Sequence, residues 1–165
     1  MPTTELQRDL PESVEAWGML GVAISIAAEE HSGQTDKAGR PYIEHVIRVM
    51  QNCPMDPEIK TVGVLHDLVE DCPGWSLQRL KERGFSDRVC AGIDAMTKRA
   101  GESYEAFVAR AGRDEIARHV KLADLRDNSN PARLSMLPDE QRARLEAKYS
   151  SAIEMLTKQG KSNEA

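Results

Sequence analysis

Apolar side chains recur with a helical period along almost the whole chain. The clearest stripe, at intervals of three and four residues, predicts a helix over 12–31 and consists of Trp17, Leu20, Ile24, Ala27 and His31. A second stripe predicts a last helix from Pro138 and consists of Leu145, Tyr149, Ile153 and Leu156. Between them, prolines and cap residues predict helices over 41–52, 56–71, 75–83, 86–98, 102–111 and 114–128. No segment alternates with the period of a strand, so the pattern predicts an all-α fold.

Length and composition fit one folded domain. The chain has 165 residues, of which 40% are hydrophobic and 30% are charged, and one hydrophobic core usually serves a chain of this size. We expect a domain over 11–159 between tails at 1–10 and 160–165. The first residues lack the basic and apolar order of a signal peptide, and no apolar run approaches the ~20 residues of a membrane span. We therefore expect a cytoplasmic protein that binds no membrane.

Charge and cysteine content argue against a nucleic-acid-binding protein, a disulfide framework and a thiolate zinc site. The net charge of -5 disfavours a broad nucleic-acid surface, which would cluster Lys and Arg. A small anionic substrate stays compatible with it, because a bound cation can reverse the local field. The cysteines form no Cys-x-x-Cys clip, so neither a disulfide framework nor a thiolate zinc site is expected from Cys53, Cys72 and Cys90.

The candidate chemistry lies in the segment 66–71. His66, Asp67, Glu70 and Asp71 occupy positions i, i+1, i+4 and i+5, and on one continuous helix they form a compact polar patch. The other positions of that helix are apolar, so we expect it to be mostly buried. Buried carboxylates are costly unless they are paired or bind a metal, and a divalent cation would account for the cluster. The solvated edge of a surface helix is the alternative interpretation of this segment alone.

Two neighbouring helices add possible ligands. His45 lies among apolar residues, and Asp124 shares a helix face with Lys121 and Asn128. Taken separately, His45 also suits a buried core histidine and Asp124 a solvated helix position. With the His-Asp pair of the third helix, they supply two imidazoles and two carboxylates. This set contains no thiolate and suits Mn²⁺, Fe²⁺ or Zn²⁺ better than Ca²⁺.

Five ordered blocks of the sequence resemble the HD-domain superfamily, and more narrowly the hydrolase domain of RelA/SpoT-type alarmone enzymes and their small stand-alone relatives. The blocks are residues 28–34, 36–45, 65–71, 96–98 and 120–128. The resemblance implies a single compact multi-helix HD-domain fold with metal-dependent phosphohydrolase activity. The long family members carry synthetase and regulatory domains for which this chain has no room, so we expect it only to degrade its substrate.

The resemblance also implies the roles of particular residues. The metal ligands, usually of Mn²⁺, would be His45, His66, Asp67 and Asp124. The catalytic acid/base pair would be Glu70 and Asp71. The residues expected to contact the substrate are Lys37, Tyr42, Lys121 and Asn128. The expected reaction removes the 3′-pyrophosphate of a guanosine or adenosine alarmone by means of metal-activated water.

Two blocks depart from the family pattern. Asp36 stands where the alarmone hydrolases commonly have a basic residue, in the loop that helps to recognise the base. The block 124–128 reads Asp-Leu-Arg-Asp-Asn, where Asp-Arg-Leu-His-Asn is more usual. The sequence therefore leaves the recognised base open, together with the metal used in the cell, the oligomeric state and regulation.

Three other functions are compatible with the sequence. An HD-type phosphatase acting on another nucleotide, or on a nicotinamide dinucleotide phosphate, would use the same metal centre. A structural or sensory metal-binding domain without turnover, or a helical interaction module without metal, would belong to a different class. Glu70 and Asp71 argue against these last two, because a structural metal site has no need of two further acids beside its ligands.

Overall fold

A computed structural model describes residues 12–163, with side chains from 14 to 160. In chain order its helices are α1 Glu12–Glu30, α2 Tyr42–Asn52, α3 Pro57–Leu65, α4 Leu68–Asp71, α5 Leu77–Glu82, α6 Asp87–Met96, α7 Tyr104–Ala111, α8 Glu115–Asn128, α9 Pro131–Leu134 and α10 Asp139–Asn163. Within this part of the chain the only β-type pairing is one bridge between Thr35 and Pro41. The predicted all-α fold is confirmed.

The described residues include part of only one of the two expected tails. The expected tail at 1–10 lies outside the described residues. At the other end, α10 continues to Asn163, so residues 160–163 are helical where the sequence predicted a tail. None of the described helices combines the length and the apolar character needed to cross a membrane.

Helix starts follow the cap residues of the sequence. Asp56 accepts two backbone N–H groups at the start of α3, ahead of a proline in the first turn. Ser86, Ser103 and Asp114 each accept one N–H at the starts of α6, α7 and α8. These caps satisfy donors that have no partner within their own helix, which is why local sequence predicted these starts well.

The predicted helix over 56–71 is interrupted at the candidate chemistry. α3 ends at Leu65 and α4 begins at Leu68, and Asp67 between them has φ -102° and ψ 0°. The prediction of one continuous helix was therefore wrong at His66 and Asp67. A turn of two residues leaves the apolar period on both sides nearly unchanged, so the period could not reveal it.

One member of the predicted α1 stripe lies outside the core. Trp17 is 39% exposed, whereas Leu20, Ala23, Ile26 and Ala27 are buried. α1 packs mainly against α3, and this contact selects which side of the helix is covered. The stripe predicted from spacing alone thus includes Trp17 wrongly.

The central helix of the fold is α3, which contacts α1, α2, α6 and α8. Gly63 lies where α2 approaches it: a Cβ added at Gly63 would be 3.1 Å from Cα of Met50 and 3.1 Å from Sγ of Cys53. Because His45 is on α2 and His66 directly follows α3, this close approach helps to set the distance between the two imidazoles.

We expect Gly63→Ala to lower the free energy of unfolding by about 1–3 kcal/mol through overpacking. The crowded neighbours include a backbone atom of Met50, which cannot move aside as a flexible side chain would. Gly18→Ala is the matched control, since an added Cβ there meets nothing within 4 Å, and alanine in a helix is favoured by roughly 0.5–1 kcal/mol. Urea denaturation measures both variants. Equal stabilisation of the two would contradict the tight α2–α3 contact.

A second apolar cluster joins α10 to the rest of the molecule. α10 packs on α7 and α8, with a buried centre formed by Val108, Leu125, Ala152 and Leu156. This contact holds Leu145 and Tyr149 of α10 beside the cavity described below. Cys53, Cys72 and Cys90 are buried and form no disulfide.

Candidate active site

Two helices and the turn between α3 and α4 bring two imidazoles and two carboxylates together. Nε2 of His66 lies 2.9 Å from Oδ2 of Asp67 and 3.7 Å from Oδ1 of Asp124. Nε2 of His45 lies 3.3 Å from Oδ1 of Asp124 and 3.9 Å from Oδ2 of Asp67. Ligand atoms of the two histidines and Asp67 all lie within 4.8 Å of one another, and Asp124 borders this group. The structure thus places the four predicted ligands side by side.

The surroundings of the imidazoles direct both Nε2 atoms towards the carboxylates of Asp67 and Asp124. Nδ1 of His45 is 2.6 Å from Oδ2 of Asp127, and Nδ1 of His66 is 2.8 Å from the carbonyl oxygen of Gly63. Each Nδ1–H is thereby given an acceptor, which leaves the Nε2 lone pair available. Nε2 of His66 is buried and makes no hydrogen bond of good geometry, although Oδ2 of Asp67 lies 2.9 Å away. A buried nitrogen that faces carboxylates without a well-aligned hydrogen bond fits a divalent metal.

The charge balance of the cluster agrees with a cation. Burial alone would lower the pKa of His66, but the carboxylates of Asp67 and Asp124 outweigh it and raise the pKa well above its usual value. The site therefore stabilises positive charge at Nε2 of His66. A divalent ion held by these residues would supply that charge without protonation of the ring.

Three of the predicted substrate-binding residues hold the carboxylates of the cluster. The hydroxyl of Tyr42 donates to Oδ2 of Asp67 at 2.5 Å. Nζ of Lys121 and Nδ2 of Asn128 donate to the two oxygens of Asp124, at 2.9 and 2.7 Å. Lys121 is only 7% exposed, so its ammonium group is shielded from solvent together with Asp124. These contacts fix the orientation of both carboxylates.

The predicted acid/base pair lies at the exposed edge of the cluster. Glu70 and Asp71 are on α4, beyond the turn that carries Asp67. A side-chain oxygen of Glu70 accepts the backbone N–H of Lys98. Partial burial, together with the nearby charge of Asp67, raises the pKa of both carboxyls above their ordinary values. Raised carboxyl pKa values suit groups that exchange protons near neutral pH.

A half-open cavity of about 290 Å³ has Tyr42 and Asn128 in its wall, and both of these hold carboxylates of the cluster. Its polar wall is formed by Thr35, Asp36, Lys37, Asn128 and Arg133, and its apolar and aromatic wall by Ala38, Tyr42, Leu134, Leu137, Leu145 and Tyr149. Of the predicted substrate-binding residues, all but Lys121 line it. Apolar and aromatic walls with a few placed polar groups are typical of sites for small ligands.

The sequence did not single out Asp127 and Arg133 as site residues. Asp127 accepts from His45, from Nε of Arg48 at 2.6 Å, and from Arg133. Burial alone would raise the pKa of Asp127, but the hydrogen bonds from His45 and Arg48 lower it to about 2. The departure of the block 124–128 from the family pattern was the only sequence signal at Asp127, and Arg133 gave none.

Comparison with known proteins relates the chain to part of larger proteins named as GTP pyrophosphokinases and guanosine-3′,5′-bis(diphosphate) 3′-pyrophosphohydrolases. No protein-family model matches it. It is 34% identical over 135 residues to a GTP pyrophosphokinase of Streptomyces coelicolor, covering 74% of this chain and 16% of that protein. It is 31% identical over 117 residues to a guanosine-3′,5′-bis(diphosphate) 3′-pyrophosphohydrolase of Aquifex aeolicus, covering 64% and 16%. The chain thus spans about one sixth of the length of these relatives.

A solved structure shares the fold. Its title reads "A metazoan ortholog of SpoT hydrolyzes ppGpp and plays a role in starvation responses", and it matches with a TM-score of 0.68 at 24% identity, covering 83% of this chain and 84% of that one. The helices and the His/Asp cluster define an HD-type domain. Among HD-type domains, the chain belongs with those related to the hydrolase domain of RelA/SpoT enzymes. The ordered sequence blocks predicted this relationship.

Proposed function

We propose that the protein is a metal-dependent phosphohydrolase that removes the 3′-pyrophosphate of a guanosine or adenosine alarmone of the (p)ppGpp or ppApp type. The observation that carries this proposal is the cluster of His45, His66, Asp67 and Asp124, in which the Nε2 atoms of both histidines face the two carboxylates. Relatives named guanosine-3′,5′-bis(diphosphate) 3′-pyrophosphohydrolase support the choice of substrate.

The proposed ligands of the metal, with Mn²⁺ as the proposed ion, are His45, His66, Asp67 and Asp124. A bound divalent ion neutralises phosphate charge and lowers the pKa of water by several units. The surrounding residues keep the ligands in place: Tyr42 fixes Asp67, and the carbonyl of Gly63 sets the tautomer of His66. This support is of the kind that metal sites need for high affinity.

Glu70 and Asp71 are proposed to exchange the protons of the reaction. Water attacks the phosphorus atom that is joined to the 3′ oxygen. The bond between this phosphorus and the 3′ oxygen breaks, and pyrophosphate is released. One carboxylate takes a proton from the attacking water, and the other carboxyl returns one to the departing 3′ oxygen. The hydrogen bond from the backbone of Lys98 holds one oxygen of Glu70 and so limits the orientations of the other.

The cavity beside Tyr42 is the proposed seat of the nucleotide. Lys37 is an exposed cation on its wall, and Tyr149 provides an aromatic surface for the nucleoside. Burial, and the positive charges of Lys37 and Lys121, lower the pKa of Lys148 on α10. These lysines therefore share a positive field, which would attract a substrate with several phosphates.

The proposed function is tested by product analysis on a panel of nucleotides. Protein with Mn²⁺ is incubated with ppGpp, ppApp, their pentaphosphates, nucleoside monophosphates and a nicotinamide dinucleotide phosphate, and the products are separated by ion exchange. We expect pyrophosphate from the 3′-diphosphates only. We also expect a chelator to abolish turnover and added Mn²⁺ to restore it, because the ligands are proposed to act through the ion.

The same assay separates the alternatives. If every alarmone survives while another phosphoester is cleaved, the alarmone assignment fails and an HD-type phosphatase with a different substrate is indicated. Mn²⁺ binding without turnover of any member of the panel would favour a structural or sensory metal domain.

A further inference from the structure

One arginine connects the two acidic positions at which the chain departs from the family pattern. Nη2 of Arg133 on α9 lies 2.9 Å from Oδ2 of Asp36, and its Nη1 contacts Oδ2 of Asp127. The side chains of Asp36 and Asp127 are 5% and 3% exposed, and that of Arg133 is 15% exposed. The three side chains form a shielded bridge between the loop at 32–40 and the end of α8.

Asp36 organises the loop from within. Its Oδ1 accepts the backbone N–H groups of Ala38 and Arg40, at 2.9 and 3.0 Å, and its Oδ2 is bound by Arg133. Both oxygens are therefore engaged inside the protein, although the residue borders the cavity. Asp36 thus acts on the shape of the loop, which also carries Lys37 on the cavity wall.

Asp127 connects the other end of the bridge to the cluster. It accepts from Nδ1 of His45 at 2.6 Å, while Arg48 binds its second oxygen at 2.6 Å. The orientation of the His45 ring therefore depends on where Asp127 lies. Arg133 is the third donor on the same carboxylate, and it is the one that also reaches the loop.

We propose that Arg133 is a positioning residue that couples the loop at 32–40 to the metal ligand His45, through Asp36 on one side and Asp127 on the other. A guanidinium is a rigid planar fork whose two amino groups can each bind a different carboxylate, whereas a lysine ammonium is a compact point charge. Movement of the loop is thereby transmitted to His45. The effect on metal binding rests on this geometry, and only the effect on substrate rests on the proposed function.

A double-mutant cycle on the binding of Mn²⁺ alone tests the coupling by calorimetry. Arg133→Gln should weaken Mn²⁺ binding by about 10- to 100-fold, the usual effect of losing outer support of a metal ligand. Asp36→Asn keeps an acceptor for the loop N–H groups but loses the charge, and should weaken binding by about 3- to 10-fold through Arg133. In the Arg133→Gln background, Asp36→Asn should have no further effect.

A conservative variant and a matched control pair separate positioning from general destabilisation. Arg133→Lys keeps the charge but cannot bridge both acids, so its Mn²⁺ affinity should fall between those of the wild type and Arg133→Gln. The matched control is the Arg142–Asp139 pair on α10, an exposed ion pair at 2.7 Å. The same substitutions there, Arg142→Gln and Asp139→Asn, should leave Mn²⁺ affinity unchanged. Circular dichroism confirms that each variant is folded.

The outcomes distinguish this proposal from the proposed function. Wild-type Mn²⁺ affinity in Asp36→Asn, or independent effects of the two substitutions, would overturn the coupling. A protein that binds Mn²⁺ but cleaves no alarmone would overturn the proposed function and leave the coupling supported by the cycle. Absence of Mn²⁺ binding by the wild type would overturn both.

With ppGpp as substrate and saturating Mn²⁺, Asp36→Asn should raise KM more than it lowers kcat, because the loop carries Lys37.

Discussion

Asp67→Asn should abolish Mn²⁺ binding and lower kcat/KM for the alarmone by at least about 10³-fold, since metal ions supply several kcal/mol of transition-state stabilisation. Oδ2 of Asp67 lies 2.9 Å from Nε2 of His66 and accepts the hydroxyl of Tyr42. Asparagine has the same shape and can still accept from Tyr42, but it lacks the negative charge that a divalent cation needs. Calorimetry with Mn²⁺ and steady-state kinetics measure the two effects.

The control for Asp67→Asn is the same change at an exposed acid. Asp94 on α6 lies 3.5 Å from Arg99, with both side chains largely exposed, so Asp94→Asn should change neither metal affinity nor turnover. The far-ultraviolet circular dichroism of both variants should match that of the wild type. Wild-type turnover by Asp67→Asn would remove the basis for placing the chemistry at this cluster.

Glu70→Gln should lower kcat by about 10²- to 10⁴-fold, the usual contribution of a general acid or base, while Mn²⁺ affinity stays near that of the wild type. Glutamine can still accept the backbone N–H of Lys98 through its amide oxygen, but it cannot exchange a proton. Asp71→Asn gives the comparison within the pair. The variant with the larger loss in kcat identifies the carboxyl on which the slow proton transfer depends more strongly.

An exposed glutamate provides the control for Glu70→Gln. Glu154 on α10 pairs with Lys158 at 2.6 Å, and Glu154→Gln should leave kcat and KM unchanged. Two results would contradict the assignment of Glu70. One is unaltered kcat in both Glu70→Gln and Asp71→Asn. The other is a loss of Mn²⁺ affinity in Glu70→Gln that parallels its loss of activity, since this would make Glu70 a ligand.

The helices were predictable because their starts and stripes are local. Asp56 and Asp114 cap helices that begin at the next residue. Aspartate is favoured at the N-cap position, because its side chain accepts backbone N–H groups of the first turn. The break after Leu65 was not predictable, because the apolar period continues across it. α9, at Pro131–Leu134, is too short to show a period. Trp17 was misplaced because the buried side of α1 is determined by its contact with α3.

The candidate site was predictable where its residues belong to a recognisable sequence motif. The block around His66 and Asp67 indicated the cluster, and the fold brings His45 and Asp124 beside it. The bridge through Arg133 was not predictable, because its partners Asp36 and Asp127 are far apart in the sequence and meet only in the folded protein. The resemblance gave Asp36 as a departure in the loop that recognises the base, whereas in the structure both of its oxygens are bound within the protein.

The position of the bound metal decides whether His45, His66, Asp67 and Asp124 form the metal site. Crystals grown with Mn²⁺ and measured for anomalous scattering at the manganese edge would locate the ion without reference to activity. We expect one strong peak within bonding distance of Nε2 of His45 and His66 and of carboxylate oxygens of Asp67 and Asp124. A peak elsewhere on the protein, or none at this cluster with Mn²⁺ in excess, would contradict it.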